Sequence, residues 1–69
     1  MSKTLLFKTF CFEAYKNAHN LKGKEAIEIF KKYGVFEYLN AVYDVLHSTG
    51  EAYIVEDINI YIEARKELA

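Results

Sequence analysis

The chain has 69 residues, a net charge of -1 and 52% hydrophobic residues. No run approaches the roughly 20 consecutive apolar residues of a membrane span, and the balance of charge leaves no overall nucleic-acid footprint. One cysteine, Cys11, excludes an internal disulfide, and with two histidines it offers no zinc spacing.

The first predicted element runs from about Ser2 to Asn20. Phe7, Phe10, Cys11, Ala14 and Ala18 recur at i, i+3, i+4, i+7 and i+11, the stripe of a helix with one core face. Leu5, Phe12 and His19 form a second stripe spaced by seven and flanked by Tyr15. A solvated helix side does not normally carry such residues. Cys11 shares the core stripe, so it is expected to be buried and unreactive.

Gly23 to Tyr33 reads as a short second helix. Glu25 and Glu28 lie early and Lys31 and Lys32 late, complementing the helix dipole. Glu28 and Lys32 have the i, i+4 spacing of a favourable ion pair. Gly34 suits the residue just past a helix end. Lys22 stands where a capping Ser would precede Glu25, so the capping box is half present. Ala26, Ile27, Phe30 and Tyr33 are expected to face inward.

A third element begins at Val35, with Val35, Tyr38, Leu39 and Val42 as its apolar face. Asp44 reads as the cap of a further turn through Val45, Leu46 and His47, closed by Gly50. The last element places Ile54, Val55, Ile58, Tyr61, Ile62, Arg65 and Leu68 on one stripe, with Tyr53 and Ile60 opposite. Its β-branched start at Tyr53-Ile54-Val55 leaves open a short extended entry and a helix beginning near Asp57.

Three groups of residues invite a chemical reading. Asp44, His47, Ser48 and Thr49 supply an acid, a base and two hydroxyls within six residues. Catalysis requires such groups to converge on a pocket, and neighbours on one turn favour the plainer reading of a capped turn. Lys22, Lys24, Lys31 and Lys32 offer contacts to phosphate, but Glu25 and Glu28 are interleaved, which favours a solvated surface. Leu5, Phe12, Tyr15, Tyr53 and Ile60 are the remaining group. They either pack on the chain's own other segments or form an intermolecular surface. Charge is also uneven along the chain. Residues 1–22 hold four lysines against one glutamate, +3, and residues 51–69 hold two cations against five carboxylates, -3.

The series Gly23-Lys24-Glu25, Phe30-Lys31-Lys32-Tyr33-Gly34-Val35, Tyr38-Leu39, Tyr43-Asp44-Val45-Leu46-His47, Gly50, Tyr53-Ile54-Val55-Glu56-Asp57-Ile58 and Tyr61-Ile62 resembles a family of short uncharacterised bacterial proteins. The resemblance covers nearly the whole chain. It implies no catalytic residues. Members of that family look like companions of neighbouring genes for ADP-ribosyltransferase-like proteins, which implies an antitoxin or accessory role. Lys22 departs from the Ser or Thr of many members, which touches only the helix cap.

The expected fold is therefore all-α, one domain over residues 1–69, built as a small bundle of three to five short helices, with a helix-turn-helix arrangement left open. The expected function is a non-enzymatic protein-interaction module, the small accessory or antitoxin-like partner of an ADP-ribosyltransferase-like protein. A helix-turn-helix DNA-binding regulator is the alternative, opposed by the near-neutral charge. Leu5, Phe12, Tyr15, Tyr53 and Ile60 are the expected contact surface, toward a protein partner or a second copy. Catalytic residues, metal and cofactors are expected to be none. With a free thiol, no N-x-S/T sequon and no convincing targeting segment, the cytoplasm is the expected compartment.

Overall fold

A computed structural model describes residues 2–68. Among them are five helices and no strand: α1 Lys3–Ala18, α2 Gly23–Tyr33, α3 Val35–Ala41, α4 Tyr43–Leu46 and α5 Glu51–Leu68. The fold is a small all-α bundle.

The ends of α1 and α2 follow from local chemistry. The Ser2 hydroxyl accepts from the Leu5 N–H at 3.1 Å, satisfying one of the unpaired donors that open α1. At its far end Asn20 adopts a left-handed φ of 56°, and the Leu21 N–H reaches back to the Lys16 carbonyl at 2.9 Å. Asn tolerates that conformation better than most residues, so the chain stops and turns here. At the start of α2 the Glu25 carboxylate accepts from the Lys22 N–H at 2.9 Å, the available half of a capping box. Gly34, at φ 64°, closes α2 and opens α3 with a single intervening residue.

α1 and α5 form the most extensive helix pairing, while α1 also packs on α2 and α3, and α2 and α4 each pack on α3. The core comprises Phe7, Cys11 and Tyr15 of α1, Phe30 of α2, Val35 and Leu39 of α3, Leu46 of α4, and Ile54, Ile58 and Ile62 of α5. Ile54, Ile58 and Ile62 recur every four residues, so one face of α5 alone meets the other helices. Phe30 sits at the centre of an aromatic cluster, with Phe12, Tyr15 and Phe36 ring centroids at 5.4, 5.4 and 5.0 Å. These tilted and edge-to-face pairs place positive ring edges against negative faces.

Several expectations need correction. Phe10 is 46% exposed rather than buried, because the buried arc of α1 is centred on Phe7, Cys11, Ala14 and Tyr15 and Phe10 falls on the flank opposite Phe12. Ala18, in the last turn, is exposed. On α5 the core stripe ends at Ile62, and Arg65 and Leu68 are exposed. The β-branched start of α5 is helical from Glu51 onward, since burial of Ile54 against the core outweighs its modest intrinsic reluctance. Asp44 does not cap α4; the boundary residue is Val42, and Asp44 lies inside the first turn.

Candidate functional site

Five off-stripe residues were expected to form one contact surface, and the fold separates them. Tyr15 is 6% exposed, packed against Phe30, with the His19 ring tilted beside it at 4.3 Å. It belongs to the core, and burial raises the pKa of its phenol. The correction has a geometric cause. Tyr15 lies four residues after Cys11 and one after Ala14, so it falls inside the arc that α2 and α5 cover.

Phe12 is partly buried, edge-on to Phe30 and stacked on Phe36 at 6.1 Å. With Leu5, Ile27 and Phe36 it lines a mainly apolar groove of about 340 Å³ where α1 meets α2 and α3, rimmed by Lys8 and Thr9. Leu5 is 47% exposed at that groove. Tyr53 and Ile60 are 60% and 61% exposed, spaced by seven on the side of α5 opposite Ile54, Ile58 and Ile62. Glu56, Glu63 and Glu67 are exposed on the same side of that helix. The structure therefore leaves two separate apolar surfaces, the α1 groove and the outer face of α5.

Of the four groups Asp44, His47, Ser48 and Thr49, two make local bonds to the backbone of α4. The His47 ring bonds the Tyr43 carbonyl through Nδ1 at 2.7 Å and stacks on the Tyr43 ring at 4.6 Å. The Thr49 hydroxyl donates to the Leu46 carbonyl at 2.7 Å. These contacts finish a helix end rather than assemble a pocket. Cys11 is fully buried, and desolvation pushes its thiol up to about 12 from 9.0. No three of His, Cys, Asp and Glu cluster among the described residues in a way that would hold a metal ion.

A feature missed by reading along the chain lies where α2 ends. An open cleft of about 740 Å³ is bordered by Lys31, Lys32 and Glu37, with Arg65 arriving from α5. The rings of Tyr38 and Tyr61 stack at 4.0 Å in its lining. The Tyr61 hydroxyl donates to the Tyr33 carbonyl at 2.8 Å, and the Tyr38 hydroxyl donates to Asp57 at 2.5 Å. Burial, reinforced by that bond to Asp57, holds the Tyr38 phenol well above the usual tyrosine range. Arg65 lies 5.0 Å over the Tyr61 ring and Lys32 5.4 Å over the Tyr33 ring. The expected Glu28–Lys32 ion pair is not formed; among the described residues the ion pairs are Lys16–Glu13 at 3.5 Å and Lys66–Glu63 at 3.3 Å. Two sequence signals bear on this cleft: Lys31 and Lys32 of the basic cluster, read as a solvated surface, and the spacing of Tyr61 and Arg65 by four, read as core stripe.

The fold and its surfaces thus describe a small helical bundle with apolar and basic surface patches. Residues 6–65 match the family model described as Protein of unknown function (DUF3791), and the chain belongs to that family. No curated protein and no solved structure matches the chain. No described helix is long and apolar enough to cross a membrane.

Proposed function

We propose that this chain is a non-enzymatic protein-interaction module. The observation that carries the reading is the apolar surface left after folding. Tyr53 and Ile60 stay about three-fifths exposed on the outer face of α5, and Leu5 stays exposed beside an apolar groove. Contiguous apolar patches on small proteins mark contact sites, and aromatic anchors in them supply a large share of affinity. The finer reading makes the partner an ADP-ribosyltransferase-like protein, with this chain as its accessory or antitoxin-like companion. It rests on the company kept by the proteins this chain resembles. A homodimer is the reading for the chain on its own, because a bundle this small gains stability by association.

Co-expression with the product of the adjacent gene, followed by pull-down, tests the reading. Leu5→Glu and Ile60→Glu place charge at exposed positions, so helicity by circular dichroism is expected to be retained while capture drops at least tenfold. Capture unchanged in both variants, together with a monomeric mass by light scattering for the wild type, overturns the placement of the surface.

A further inference from the structure

We infer that the cleft at the end of α2 is a second binding site, one that takes an acidic peptide segment of a partner protein. Charge is the first argument. Lys31, Lys32 and Arg65 border the cleft against the single carboxylate of Glu37, a local excess of +2 in a chain whose net charge is -1. None of the three cations is in an ion pair among the described residues. Arg65 is held over the Tyr61 ring, and a guanidinium stacked on a ring keeps its in-plane N–H donors for a carboxylate.

The second argument is that backbone carbonyls at the end of α2 are partly capped. A helix C-terminus presents unpaired carbonyls and the negative end of the dipole, which would repel an acidic ligand. Here the Tyr61 hydroxyl donates to the Tyr33 carbonyl and lies 3.4 Å from that of Gly34, while the Gly34 N–H bonds the Lys31 carbonyl. The Tyr33 carbonyl at the end of α2 is thereby capped from α5, which lessens that repulsion. Gly34 sits in the left-handed conformation at the junction of α2 and α3, within the lining of the cleft.

The third argument is rigidity. Tyr38 and Tyr61 are fixed by ring stacking and by hydrogen bonds at both hydroxyls, so the aromatic wall exists before a ligand arrives. Peptide is favoured over nucleic acid because Glu37 borders the cleft and the outer face of α5, with Glu56, Glu63 and Glu67, opposes an extended polyanion. The inference stands apart from the apolar contact surface, since the two share no residue.

The test is a titration of the ¹⁵N-labelled protein with a twelve-residue peptide of alternating Glu and Tyr, read by amide chemical shifts. Shifts are expected to concentrate on residues 31–38 and 61–65 and to weaken steeply with salt. Lys31→Glu and Arg65→Glu, both at exposed positions, are expected to weaken binding at least tenfold, while Lys24→Glu at the other end of α2 leaves it within twofold. Leu5→Glu is expected to leave it unchanged, which separates this site from the apolar surface. Equal shifts around Lys3, Lys8 and Lys24, no effect of Arg65→Glu, or tighter binding of a twelve-base-pair DNA duplex at the same amides would each overturn the proposal.

Discussion

The two long helices carry the same kind of surplus and treat it differently. α1 has Phe12 and Tyr15 beside its core stripe, and α5 has Tyr53 and Ile60 behind its own. On α1 the extra aromatics are drawn into the Phe30 cluster; on α5 Tyr53 and Ile60 remain largely in solvent. The difference lies in the neighbours. α1 packs on α2, α3 and α5, so a wide arc is covered, whereas α5 is buried along the one stripe of Ile54, Ile58 and Ile62. An off-stripe aromatic on a helix with several neighbours is drawn inward where it faces one of them, as Phe12 and Tyr15 are and Phe10 is not. The same residue on a helix covered from one side is available for contact.

The sharpest way to break that comparison is through the centre of the aromatic cluster. Phe30→Ala removes a fully buried ring on which Phe12, Tyr15 and Phe36 converge, and it is expected to cost about 3–5 kcal/mol. Urea denaturation followed by circular dichroism at 222 nm checks it; a loss below 1 kcal/mol would mean the cluster does not carry the core. The two helices are compared directly by the same substitution in each. Tyr15→Ala is expected to destabilise by about 3 kcal/mol, as for other large buried side chains. Tyr53→Ala is expected to stay within about 0.5 kcal/mol. Similar losses at the two sites would show that α5 is covered on its outer side as well.

Alkaline pH separates the buried titratable groups from the exposed ones. Burial holds the Cys11 thiol and the Tyr38 phenol above their ordinary values of 9.0 and 10.0, so the folded chain favours their protonated forms. Stability is therefore whole below about pH 9 and declines as pH rises through the unfolded values toward the raised folded ones. Tyr38→Phe and Cys11→Ala are each expected to flatten the decline between pH 9 and 12, measured as the urea midpoint against pH. An unchanged slope in the double variant would place the titrating groups elsewhere.

The smallest expected effect sharpens the basic cleft. Tyr61→Phe keeps the ring stack on Tyr38 and deletes the donor to the Tyr33 carbonyl, at a cost of about 1 kcal/mol. Hydrogen exchange of the Gly34 amide is expected to quicken as the end of α2 loosens, with no change at Ala26.

What the sequence determined by itself was the helical class and most of the punctuation. Gly34 marks the end of α2 because a left-handed φ is nearly free for glycine, and the 3.6-residue period of Ile54, Ile58 and Ile62 marks the inner face of α5. Ser2 and Glu25 satisfy backbone donors within three residues, so their roles need no distant partner. Tertiary structure decided everything that depends on how wide an arc each helix buries. Periodicity gives the direction of a face and not its width, so it left Tyr15 outside the core and Phe10 within it. The basic cleft was hidden for a related reason. It joins Lys31 and Lys32 to Arg65 across more than thirty residues, through a hydroxyl of α5 that reaches the carbonyl end of α2. Helical spacing places residues relative to their own axis alone; only the packing of one axis against another brings those three cations around one opening.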